Sequence, residues 1–203
     1  MEQVLLSKKY ESSLANKFSD LQSIRRDLNK SIEMLNLLKP ELEKPDGEKK
    51  TTLIESIWSA SVIRYCRCFA SGKRFGLDET IFDGLPGDAL GVHNWIKGMR
   101  DKLIAHSVNP FEECKTFITT TDEDLPKSWG IGFFDASYAH PKMDGIANFS
   151  NLTVVLRDKI AELCNEVHAE LQDEVNKLTP EELKELPLHQ YTAPSSDDAG
   201  KAR

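Results

Sequence analysis

Apolar residues recur at helical spacing along four stretches of this chain, and the polar runs between them divide it into elements. From about Lys9 to Leu38, the residues Leu14, Phe18, Leu21, Ile24, Leu28, Ile32, Leu35 and Leu38 stand three or four apart, with charges on the other face. This spacing predicts one long amphipathic helix, ended by Pro40 and then Pro45-Asp46-Gly47. It is expected to be an arm or a first bundle helix occupying residues 1–45. A second helix is expected from Thr52, whose place three before Glu55 fits a capping box, to Ala70, where Ser71-Gly72 stops it. Its buried stripe is Ile54, Trp58, Ser61, Tyr65 and Phe69.

Asp78 is placed to cap a single turn through Phe82, after which Gly84-Leu85-Pro86-Gly87 turns the chain. Asp88 then fits the N-cap of a third helix, Ala89 to Ala105, with an apolar face of Val92, Trp95, Ile96, Met99 and Leu103 that His106 continues. After Pro110 the pattern changes to Thr116–Thr121 and Ile131–Asp135, β-branched and aromatic, around the polar run Asp122–Lys127. A hairpin or an irregular excursion is expected there, inside an insert spanning 112–148. Helical spacing returns in Leu152, Leu156, Ile160, Leu163, Val167, Leu171 and Val175, which predicts a helix over 152–178. Thr179-Pro180 with Glu182 starts a short last helix that Leu186-Pro187 closes, and residues 188–203 read as a disordered tail. The fold class that follows is all-α: a helical bundle of four to five main helices with a short β-like insert around 115–136, its body covering 46–187.

Composition fits one core in a chain of 203 residues with 39% hydrophobic content. The formal net charge of −7 argues against a nucleic-acid partner until it is divided along the chain. Met1 to Phe111 holds 17 Lys and Arg against 15 Asp and Glu, net +2, whereas Glu112 to Arg203 holds 9 against 18, net −9. A local basic cleft built from Arg64, Arg67, Lys73, Arg74, Lys97, Arg100 and Lys102 is therefore compatible with the total, because local potential decides phosphate binding. Cys66, Cys68, Cys114 and Cys164 contain no Cys-x-x-Cys pair and are expected to be reduced and mostly buried. His140 before Pro141 reads as a turn residue, and Cys164 with His168 as core packing, so neither a metal nor a cofactor is expected. With no apolar run of about eighteen residues and no leader pattern, a cytoplasmic protein without a membrane partner is expected.

The chemistry concentrates in Trp95 to Asn109, where a guanidinium (Arg100), a carboxylate (Asp101) and an imidazole (His106) gather near one helix end. On a straight helix six residues turn through about 600°, so Arg100 and His106 point roughly 120° apart and meet a common ligand only across a groove. By themselves these residues also fit a core histidine beside a solvated Arg-Asp pair.

The run Arg100-Asp101, four residues, then His106 resembles the signature of the HEPN superfamily, and Leu103 to Ser107 looks most like its abortive-infection branch. The resemblance covers about residues 50–178. It implies an all-helical homodimer and a metal-independent RNA endonuclease in toxin-like or phage-defence biology, with the two motif copies facing each other. On that reading Arg100, Asp101 and His106 are catalytic. Arg64, Arg67, Lys73, Arg74, Lys97, Lys102, Ser107 and Asn109 would bind RNA, and an antitoxin or inhibitor protein is a candidate partner. Relatives controlled by nucleotidyltransferases carry a Tyr two residues after the His. Val108 stands there instead, so that modification is not expected. The alternatives are a HEPN-like module that binds nucleotide, RNA or protein without cutting, and a helical adaptor working through its first helix.

Overall fold

The computed structural model describes residues 6–70, 72–104, 112–124, 127–137, 142–191, 193 and 195–198. Helix α1 (Ser13–Leu42) packs along α4 (Met143–Val175) on one side and α2 (Thr51–Cys66) on the other. The shorter α3 (Ala89–Met99) packs on α2 and α4, and α5 (Pro180–Glu185) follows near the C-terminus. Strands β1 (Glu112–Thr120) and β2 (Ser128–Ser137) form one antiparallel hairpin between α3 and α4. The all-α bundle with a short β insert is thus the architecture, and among the described residues no helix is long and apolar enough to cross a membrane.

The apolar stripes meet where their spacing aims them. Leu21, Ile24, Leu28, Leu35 and Leu38 of α1 are buried against Ile54, Trp58, Val62 and Tyr65 of α2 and Ile146, Phe149, Leu156 and Ile160 of α4. Phe149 is the hub. It meets Trp58 and Tyr65 edge-on, at ring-centre distances of 5.7 and 5.2 Å, a geometry that aligns the positive ring edge with the negative ring face. Each such side chain contributes roughly 1.5–3 kcal/mol by leaving water, so α1 is an integral bundle helix rather than an arm.

Several boundaries differ from the sequence reading for identifiable reasons. Helix α1 starts at Ser13, capped by Ser12, because Ser7 to Lys9 lie extended against the far end of the chain. There Lys9 N–H donates to Pro187, His189 N–H donates to Ser7, and the Lys8 ammonium donates to the carbonyl of Leu186 at 2.7 Å. Leu188 and His189, expected in the tail, are held by this pairing. Residues 192, 194 and 199–203 of the expected tail lie outside the described residues.

Pro40 removes one ladder bond near the end of α1, yet the helix continues to Leu42. Burial of Leu42 and the bond from Lys50 N–H to the Glu41 carboxylate hold the extra turn. That bond also explains α2, which starts at Thr51 with no side-chain cap. The carboxylate expected from Glu55 in a capping box is supplied across the gap by Glu41, so the expected box at Thr52 does not form. Helix α4 begins at Met143 rather than at residue 152, since Ile146 and Phe149 bury completely and draw the preceding turns into the bundle.

A charged cluster ties α1 to the far end of α2. Asp27 on α1, 1% exposed, accepts from Arg64 at 2.9 Å and from Arg74 at 3.1 Å, with Arg67 Nε at 3.6 Å. Arg74 also donates to Ser23 Oγ and to the carbonyl of Arg67, so the segment after α2 is fastened to α1. A carboxylate this deep is tolerated only because guanidiniums replace its water. Asp27→Ala should therefore lower the free energy of unfolding by about 2–3 kcal/mol, below the full cost of breaking a buried pair because the arginines keep contact with solvent. Arg67→Ala, whose partner is more distant, should cost less than about 1 kcal/mol. Urea unfolding of the two variants separates them, and equal losses would contradict the assignment of Asp27 as the centre of the cluster.

Candidate functional site

The candidate site forms where α3 runs out. The Asp88 carboxylate caps its start by accepting from Gly91 N–H at 2.9 Å, as the sequence predicts. Its other end widens at Arg100–Ile104 into a π-helical turn. Such turns arise where an extra residue is fitted into a helix, and they are frequent at functional sites. The wider turn makes the 120° angle expected from a straight α-helix inapplicable past Met99. His106, Ser107 and Asn109 lie outside the described residues, as do Ala105 and Val108.

Lys97, Arg100 and Asp101 line one cleft of about 420 Å³ together with His93, Cys66 and Phe69. The Arg100 side chain is 53% exposed and donates from Nη1 to Asp101 Oδ1 at 2.7 Å. That bond raises the guanidinium pKa further, so Arg100 is a fixed cation whose orientation Asp101 sets. Burial pushes the Cys66 thiol up to about 12, which makes it a wall of the cleft rather than a nucleophile.

The remaining basic residues divide into groups. Arg67 reaches a neighbouring cleft that also contains Arg100, and it lines a third with Lys73 and Arg74. Arg64 and Arg74 give their guanidiniums to Asp27. Lys102 is exposed on the π-helical turn and does not line the cleft of Arg100. The seven basic residues expected to build one cleft thus do not share one, and part of their charge is neutralised from beneath by one carboxylate. Of the cysteines, Cys68 and Cys164 are buried, Cys66 is half-buried and Cys114 is exposed on β1. His168 packs against Phe18 at 5.6 Å. Among the described residues no three His, Cys, Asp or Glu side chains converge as metal ligands.

The sequence reading passed over His93. It is buried among Tyr65, Phe69 and Phe82, and its Nδ1 lies 3.0 Å from the Tyr65 hydroxyl. Burial and then the nearby Lys97 lower its pKa, while Glu79 works weakly the other way. Burial raises the pKa of Tyr65. The protonated phenol and the neutral imidazole share this one hydrogen bond inside the aromatic core. Residues 93, 97 and 100 stand four and three apart, so helical spacing alone groups His93 with Lys97 and Arg100 on one side of α3. That grouping was available in the sequence.

Comparison with known proteins yields no match, whether by family model, by curated protein or by solved structure.

A depressed histidine pKa favours the neutral form in the fold. Its stabilising contribution is complete above the ordinary value of 6.5 and is lost as pH falls below that value towards the folded one. The melting temperature should accordingly drop between about pH 7.5 and about pH 5.5, above the range in which carboxylates titrate. His93→Gln, which keeps a hydrogen-bonding group for Tyr65 but does not titrate, should flatten that slope. An unchanged slope would show that His93 is not the group responsible.

Proposed function

We propose that this chain is a metal-independent RNA endonuclease of HEPN type, acting as a homodimer in toxin-like or phage-defence biology. The observation that carries the reading is the placement of Arg100. It stands half-exposed on a π-helical turn, oriented by Asp101, at the mouth of a cleft that it shares with Lys97 and His93. A preorganised cation at a cleft mouth suits charge developing on phosphoryl oxygens.

In the proposed reaction the ribose 2′-hydroxyl loses its proton and attacks the adjacent phosphorus. The bond from phosphorus to the 5′-oxygen breaks, and that oxygen takes up a proton. A 2′,3′-cyclic phosphate and a 5′-hydroxyl end result. His106 moves protons in this scheme, imidazole being the side chain whose unperturbed pKa, ~6.5, lies near neutral pH, while Arg100 neutralises the phosphoryl oxygens and Asp101 holds Arg100. Lys97 and Arg67, with Lys73, Arg74, Lys102, Ser107 and Asn109, would follow the RNA backbone. Arg64 would add to the local potential from its place on Asp27.

A second reading, a module that binds RNA or nucleotide without cutting it, draws on the same ion pairs. Arg100 already faces Asp101, and Arg64 and Arg74 already face Asp27, so less cationic charge is available than the sequence suggests.

The purified protein should cleave single-stranded RNA in excess EDTA, leave DNA intact and produce 2′,3′-cyclic phosphate ends. His106→Ala should reduce the rate at least about a hundredfold. Arg100→Ala should raise the barrier by on the order of 3 kcal/mol. Circular dichroism must match the parent for both variants. Cleavage that persists in His106→Ala, or that needs added magnesium, would overturn the mechanism. RNA binding without any cleavage would favour the module.

A further inference from the structure

The hairpin carries apolar side chains that its own fold leaves uncovered. Side chains directly across an antiparallel ladder share a face, so the pairings Ile118 with Ile131 and Thr116 with Phe133 place Ile118, Ile131 and Phe133 together. They are 63%, 78% and 72% exposed. Trp129, the residue without a partner at the irregularity beside Thr119 and Thr120, is 80% exposed next to them. On the opposite face Phe117 folds over Gly132, where a Cβ would collide with its ring. That face partly covers itself, and the face of Ile131 and Phe133 does not. A lone two-stranded hairpin is marginal in water, so this one calls for a partner surface.

Charge selects the partner. The hairpin from Glu112 to Ser137 carries six carboxylates (Glu112, Glu113, Asp122, Glu123, Asp124 and Asp135) against Lys115 and Lys127, net −4. Phosphates of RNA and anionic membranes are repelled by that balance. The fitting surface is apolar with a positive rim, and this chain has one. Ile63, Cys66, Ala70 and Ile104 line a cleft of about 270 Å³ bordered by Arg67 and Arg100. That volume admits an aromatic side chain, and Ile63 at its edge is exposed.

We propose that the hairpin is a docking arm for a second copy of this chain, the apolar face around Ile131 and Phe133 seating in the Ile63–Ile104 cleft of the partner while its carboxylates meet Arg67. Both copies offer an arm and a cleft, and in the proposed dimer the exchange is reciprocal about a twofold axis, which closes the assembly where one-way docking would give an open chain. Each arm presents on the order of 500 Å² of apolar surface, counting roughly 150–250 Å² for an aromatic side chain. Two arms with the surfaces they cover exceed the roughly 1,000 Å² that a specific interface needs. The cleft of His93 and Lys97 shares Arg100, Cys66 and Ala70 with the docking cleft, so a seated arm borders the candidate site. The inference does not depend on the nuclease reading, and its test measures mass alone.

Sedimentation of the full chain at micromolar concentration should give twice the 22.9 kDa chain mass. Two variants divide the interface: Ile131→Asp with Phe133→Asp removes the arm face, and Ile63→Asp with Arg67→Glu removes the cleft. Each alone should sediment as a monomer. An equimolar mixture keeps one intact arm-and-cleft pair and should form a mixed dimer, at least about tenfold weaker than the parent. A monomeric parent would overturn the proposal. So would a dimeric cleft variant, which would mean that hairpins pack on each other, or a mixture that associates no better than its components.

Discussion

The buried carboxylate of Asp27 organises the arginine cluster at the far end of α2. Burying it without partners would be prohibitive, so the structure surrounds it with Arg64, Arg67 and Arg74, drawn from the end of α2 and the segment that follows. Bringing those arginines together has two consequences. It fastens the turn after α2 onto α1, and it leaves a basic surface whose charge is already partly balanced from below. The same cations that look free in the sequence are therefore structural first, and only their solvent-facing edges are open to a ligand.

Beside that cluster, α3 links the core to the candidate site. His93 is bonded to Tyr65 inside the aromatic core, and one and two turns further on Lys97 and Arg100 reach the cleft. The neutral imidazole is maintained by burial and by the neighbouring Lys97. Arg100 keeps α-helical dihedrals and its backbone bond to Ile96, and the π-helical turn that starts there changes the register of the residues that follow.

The hairpin follows the opposite logic. The bundle encloses the apolar stripes of α1, α2 and α4, whereas the hairpin displays its apolar residues among carboxylates. Its ladder satisfies the backbone between the two strands, but a two-stranded sheet has no second layer of its own.

Much of this was legible from residue order, because the signals involved act within a few residues. Helical periodicity located α1 to α4, and the caps at Asp78, Asp88 and Thr179 formed as their spacing indicated, since a side chain reaches only the next two or three backbone N–H groups. The Arg100–Asp101 pair is likewise local. Tertiary structure decided the rest. Arg64 and Arg74 meet Asp27 from 37 and 47 positions away, Tyr65 meets His93 from 28, and Glu41 takes over a cap expected of Glu55. None of these partners is encoded by spacing, because each exists only once α1, α2 and α3 have packed and excluded the water that would otherwise solvate the same groups. The π-helical turn and the uncovered face of the hairpin belong to the same class. Both depend on where neighbouring elements end, and periodicity within one segment carries no information about that.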